Sequence, residues 1–159
     1  MNGSKRRGAF TLIEVLIVVV IMAVLAATII PQFTSSTKDA KESTAKFNLN
    51  TLRSQVELYK LHHNGTLPDG LVNLQQLTKP TNVSGVTGAA GTSFPFGPYI
   101  QKIPNNPFTG GNKVTPDNGA AGSGIPAATG AADAGWIYRK ATGEFWLDHE
   151  DYIGLPEYQ

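Results

Sequence analysis

Residues 10–30, FTLIEVLIVVVIMAVLAATII, make a run of 21 residues whose only polar members are Thr11, Glu14 and Thr28. As a helix rising about 1.5 Å per residue, the run would be about 31 Å long, which matches the hydrocarbon core of a bilayer. A membrane-spanning helix is therefore predicted here, and lipid is a predicted partner. The nine residues before it, MNGSKRRGA, carry Lys5, Arg6 and Arg7 and no acid. Basic residues flanking an apolar span stay on the cytoplasmic side, so the rest of the chain is expected on the far side. One carboxylate, Glu14, stands at the head of the run. A charge near hydrocarbon costs about 3 kcal/mol at a helix centre, so an acid kept there is a candidate functional residue.

Past Pro31 the composition turns polar, yet helical periodicity continues and no glycine occurs before Gly65. Ala45, Leu49, Leu52, Val56 and Tyr59 fall at i, i+4, i+7, i+11 and i+14, one stripe of an amphipathic helix. Phe47, Leu58 and Leu61 project from the opposite side and are expected to serve a neighbouring chain, the alternative being that both faces are buried within one monomer. Asn64-Gly65 predicts the helix stop, because both residues tolerate the left-handed cap conformation. A helix over residues 10–63 would be about 80 Å long, more than one bilayer or one small domain can cover.

The remainder reads as a small domain. Pro68-Asp69-Gly70 predicts a turn, and LVNLQQLTK predicts short helical turns before Pro80. Residues 84–135 are rich in Gly, Ala and Pro, so regular elements there must be short. GWIYRKATGEFWLD alternates on both sides of Ala141-Thr142-Gly143, which predicts a β-hairpin with Trp136, Tyr138, Phe145 and Leu147 facing inward, against the helix stripe ending at Tyr59. The fold class is α+β: a long N-terminal helix packed on a small C-terminal antiparallel sheet with long Gly/Ala/Pro-rich loops.

Composition excludes several functions. A formal net charge of +1, with Lys and Arg scattered after residue 38, gives no basic face for nucleic acid. Cysteine is absent, which removes disulfides, thiolate metal sites and cysteine nucleophiles together. No nucleophile, base and acid group together in the pattern an enzyme needs. His62 and His63, adjacent at a helix end, point about 100° apart and are expected to be solvated side chains rather than a chelating pair. Asp148, Glu150 and Asp151, around His149, are candidate calcium ligands, because calcium favours clustered carboxylates; an ordinary charged tail is the plain alternative. The Asn64-Gly65-Thr66 and Asn82-Val83-Ser84 glycosylation patterns are short enough to arise by chance. A cleavable secretory signal ending near Val24-Leu25-Ala26 would need no glutamate at its head, and the helical pattern runs on past that cut. Arg6-Arg7 misses a twin-arginine signal, since Phe10 lies one place too far along.

The segment AFTLIEVLIVVVIMAVLAATIIP resembles the class III signal and helix of type IV pilins and of the pseudopilins of type II secretion. Counted from Phe10 as the first mature residue, the family's glutamate at the fifth position is Glu14 and its helix-kinking proline at the twenty-second is Pro31. ELYKLHHNGTLP is similar to the pseudopilin segment reading roughly LYKLDNGRYP, and GPYIQKIPNNPFTG to GPYLKKLPKDPWGN, which favours the major pseudopilin branch over the pilins of type IV pili. The resemblance implies a leader over residues 1–9, a transmembrane segment over 10–30, an amphipathic helix over 31–64 and a periplasmic domain over 65–159. It further implies prepilin peptidase cleavage near Gly8 and Ala9, N-methylation of Phe10, and polymerisation that depends on Phe10, Glu14 and Pro31. The expected partners are copies of the chain itself, the peptidase, an inner-membrane assembly platform and minor pseudopilins, and the expected role is to drive protein secretion by filament growth. Calcium in a carboxy-terminal loop is implied as well. The family usually has glycine before the scissile bond; here the cut falls either after Ala9, keeping Glu14 fifth, or after Gly8, making it sixth. A single-pass anchored domain with a ligand pocket is the reading that needs no filament.

Overall fold

The apolar run and the amphipathic stripe fold as one helix, α1, from Leu12–His62. The structure, a computed structural model, describes residues 10–71 and 73–158; the candidate cleavage residues Gly8 and Ala9 lie outside them. The chain divides into two compact units, one ending at Ala40 and one running from Lys41 to the end, and α1 contributes to both.

In the first unit α1 is apolar enough and long enough to cross a membrane, and its side chains there are exposed. Pro31 lies inside the helix rather than ending it. Proline offers no amide hydrogen to the carbonyl four residues earlier, which weakens the ladder there. Around it, hydroxyls fold back onto the helix: Thr28 donates to the Leu25 carbonyl (2.9 Å), Thr34 to Ile30 (3.2 Å) and Thr37 to Phe33 (2.8 Å). Such back-bonding competes with main-chain donors, and it recurs further along α1 at Thr51 and Ser54.

The second unit is built on the predicted stripe. Ala45, Leu49, Leu52, Val56 and Tyr59 are buried in one core with Trp136, Tyr138, Phe145 and Leu147. Phe47 and Leu61 stay 71% and 76% exposed, so the opposite face of α1 is left uncovered by this chain. The helix stops at the predicted place: Asn64 and Gly65 adopt φ of 53° and 83°, and the Gly65 amide donates back to the Lys60 carbonyl at 2.8 Å. A short helix α2, Gln75–Thr78, follows, with Leu77 buried.

Three strands complete the unit: β1 Lys113–Asp117, β2 Ala134–Arg139 and β3 Glu144–Leu147, in spatial order β1-β2-β3. The hairpin β2–β3 is antiparallel, with Trp136 opposite Leu147 and Tyr138 opposite Phe145, whose rings lie 4.8 Å apart. The sheet as a whole is not antiparallel, however, because β1 pairs parallel to β2. A parallel neighbour needs a long return connection, and residues 118–133 supply it. At the start of that pairing the backbones approach so closely that a Cβ on Gly135 would sit 2.8 Å from backbone atoms of Asn112 and Lys113, so only glycine fits. The second face of the sheet is covered too: Ile137, Trp146 and Ile153 form a smaller buried cluster with Ala128 against it.

All five tyrosines of the chain lie in this unit. Burial raises Tyr59 and Tyr158 from 10.0 to about 12, and raises Tyr99, Tyr138 and Tyr152 in the same direction. In the unfolded chain these phenols ionise near 10, so between about pH 10 and 12 the unfolded state binds fewer protons than the folded one. The tyrosines' contribution to stability is therefore fully present below about pH 10 and is lost as pH rises through 12. An alkaline titration should show phenolate absorbance rising above pH 10 together with loss of helical circular dichroism; phenols that ionise near pH 10 with the helix signal unchanged would contradict the burial argument.

Candidate functional site

At the head of α1, Thr11 occupies the N-cap position and Glu14 the third helical position. The Thr11 amide donates to Glu14 Oε2 at 2.7 Å and the Thr11 hydroxyl donates to the same oxygen at 2.8 Å. In return the Glu14 amide donates to Thr11 Oγ1 at 3.3 Å. This is a capping box, in which the first free amides of a helix are satisfied reciprocally by a Thr-x-x-Glu pair. The signal Thr-x-x-Glu stands in the sequence before the apolar run, and an account of Glu14 as a charge near lipid and a filament-assembly residue leaves out Thr11 as its partner. A carboxylate at a helix N-terminus also meets the positive end of the helix dipole.

The surroundings of this cap are apolar and uncovered. Phe10 is 87% exposed and Leu12 85%. Glu14 is the only charged residue between Phe10 and Lys38. Glu14 Oε1 takes part in neither bond from Thr11, so the carboxylate can cap its own helix and still meet a cation alongside.

Elsewhere the predicted groups are distributed differently. His63 is not solvated: it is 1% exposed, stacks on Tyr59 with ring centroids 3.7 Å apart, and has Nδ1 at 2.8 Å from the Tyr59 carbonyl and Nε2 at 3.1 Å from the Thr81 hydroxyl. The segment from Thr81 to Phe96 folds over the helix end and covers the ring, which periodicity along α1 could not foretell. Asp148, Glu150 and Asp151 share one open groove with Thr109, His149 and Gly130. Asp148 is buried and bonded to Thr129, while Glu150 and Asp151 are exposed. Among the described residues no three acid or imidazole side chains gather as a metal-holding set.

The prokaryotic N-terminal methylation motif, the mark of pilin-like proteins, matches residues 4–30, which include the apolar, capped head of α1. Residues 32–117 match the type II secretion system protein G family. The chain is 30% identical over 147 residues to the type II secretion system core protein G of Vibrio cholerae, covering 86% of this chain and 96% of that one. It is 32% identical over 108 residues to that of Pectobacterium carotovorum, covering 67% and 65% of the two chains. With that of Pseudomonas aeruginosa it shares 31% over 105 residues, covering 65% and 70%. No solved structure matches it. The chain belongs to the type II secretion system protein G family, the major pseudopilins, which are structural filament subunits and not enzymes.

Proposed function

We propose that this chain is made as an inner-membrane precursor with its amino terminus cytoplasmic and its carboxy-terminal domain periplasmic. Prepilin peptidase cuts between Ala9 and Phe10, the new Phe10 amine is methylated, and the subunits polymerise into a periplasmic pseudopilus that drives protein secretion. Assembly draws on copies of the same chain, an inner-membrane assembly platform, minor pseudopilins and the surrounding lipid. The observation that carries this reading is the Thr11–Glu14 cap at the tip of an uncovered apolar helix.

In a bundle of such helices each new Phe10 ammonium would be an unpaired cation away from water, and each Glu14 an unpaired anion. Glu14 Oε2 stays with Thr11, and Oε1 receives the Phe10 ammonium of a neighbouring subunit. The contact exists only at one axial offset, so it sets register while offsetting desolvation. Pro31, with the back-bonded hydroxyls around it, gives the helix a place to yield as it leaves the bilayer.

Mass spectrometry of the assembled subunit tests the frame. The expected amino terminus is Phe10 carrying one methyl group, with residues 1–9 gone. A mature chain that begins at Ala9, or at Ala27, would overturn it.

A further inference from the structure

The resemblance implies calcium in the carboxy-terminal loop, and the side chains there can be tested against that ion. Calcium takes six to eight oxygens at about 2.3–2.6 Å. Here Asp148 is 1% exposed and both its oxygens are engaged by Thr129: Oδ1 accepts from the Thr129 amide at 2.8 Å and Oδ2 from the Thr129 hydroxyl at 2.6 Å. The Asp151 carboxylate lies 3.9 Å from His149 Nδ1, and both Asp151 and Glu150 are exposed. Asp148 is turned inward onto Thr129, and Asp151, whose side chain is 83% exposed, would have to swing in to join it at a metal. The donor set does not fit the ion.

Something else must then hold residues 118–133, a stretch of 16 residues of which ten are Gly or Ala and which brings few side chains of its own to pack. It is fastened inward at two points by charges of opposite sign. The Arg139 guanidinium, 3% exposed, donates from Nη1 to the Ser123 carbonyl at 3.0 Å and from Nη2 to the Gly124 carbonyl at 2.8 Å, while Nε pairs with Asp117. Five residues beyond Gly124, Thr129 is held by Asp148. Between the two points Ala128 packs on Ile137, Trp146 and Ile153. A cation that gathers two carbonyls and a carboxylate does the work of a divalent ion in a loop. A carboxylate already satisfied by an amide and a hydroxyl needs no such ion.

We infer that Arg139 and the Thr129–Asp148 pair stand in for a divalent cation, so that this pseudopilin closes its carboxy-terminal loops without calcium. The inference concerns the closure of the domain and stands apart from whether the subunit polymerises.

Thermal unfolding of the full-length chain in detergent, followed by circular dichroism, tests it in millimolar calcium chloride and in excess EGTA. The two melting temperatures should agree within about 1 °C, whereas an ion bound at a hundred times its Kd would separate them by about 8 °C or more. Thr129→Val should melt about 5 °C lower in both buffers, since it loses a hydrogen bond to a charged group, and Thr129→Ser should restore most of the loss. A calcium-dependent rise in the unmodified protein overturns the inference, and so does a Thr129→Val variant that melts like the parent. Calorimetric titration of the unmodified protein with calcium chloride gives a reading that needs no variant: heats of simple dilution agree with the inference, and saturable binding in the micromolar range overturns it.

Discussion

Glu14→Val should abolish filament assembly while membrane insertion and leader cleavage stay close to normal. Insertion depends on the apolar span, and replacing its one acid by valine makes that span more apolar. The cap loses about 1 kcal/mol, too little to melt a helix whose neighbours hold it in lipid. The large loss comes between subunits. A close charge pair across an interface carries about 3 kcal/mol, which corresponds to a more than hundredfold rise in the subunit concentration needed for growth. Glu14→Gln separates the two roles of the side chain. Glutamine at this position also completes a capping box, so if the subunit needed only the cap, the Glu14→Gln variant would assemble normally. A subunit that needs the charge would fail as Glu14→Val does, and that is the expected result. Filament yield from cells expressing each variant as the only copy decides it. Normal assembly of Glu14→Gln would leave Glu14 as a cap and nothing more.

Arg139→Met should lower the melting temperature of the full-length chain by about 10 °C or more. The guanidinium is 3% exposed, and its removal takes the Arg139 donors from Asp117 Oδ2 and from the carbonyls of Ser123 and Gly124, leaving Asp117 only the Gly119 amide on Oδ1. It also takes away the cation stacked 4.8 Å above the Trp146 ring. Removing one partner of a buried pair costs about 3–5 kcal/mol, because the group left behind stays desolvated. At a few degrees per kcal/mol for a unit of this size, the shift is large and easily read. Arg139→Lys should fall between the two, since an ammonium keeps the charge but cannot reach both carbonyls and Asp117 with one rigid fork. A loss below about 3 °C for Arg139→Met would mean that the loop over the sheet is held by its apolar contacts and the Thr129–Asp148 bonds without need of Arg139.

Where a side chain's fate depends on near neighbours in the chain, the sequence was legible. The stripe Ala45, Leu49, Leu52, Val56 and Tyr59 and the inward set Trp136, Tyr138, Phe145 and Leu147 were readable because 3.6-residue and two-residue periods each assign a face, and these two faces meet in one core. Asn64-Gly65 was readable as a stop because its backbone conformation is a local property. The parallel pairing of β1 was not: KVTPD has one buried residue, Val114, and a proline, so it carries little strand signal. Nor was the burial of Ile137 and Trp146, whose cover arrives from a Gly/Ala-rich loop without periodicity. At the head of α1 both residues are plain in the sequence, but a lone acid beside an apolar run points to lipid and to a neighbouring chain, whereas its nearest partner, Thr11, is three places before it. In the carboxy-terminal groove the acids adjoin one another in sequence, but Asp148 turns inward while its neighbours turn to solvent.

The core contacts also set an order of events. A chain synthesised from its amino end presents the stripe from Ala45 to Tyr59 long before Trp136, Tyr138 and Phe145 exist to cover it. The final piece arrives later still: Tyr152 reaches back to Glu42 at 3.3 Å, Lys46 lies 5.4 Å from the centre of the Tyr158 ring, and Glu157 pairs with Lys46. Contacts so distant in sequence form only once the intervening chain is complete. Until residues 134–147 emerge, the nascent subunit keeps an open apolar seam of the kind that exposes a partly folded chain to aggregation. A chain that stopped before Trp136 would lack the residues that cover that seam.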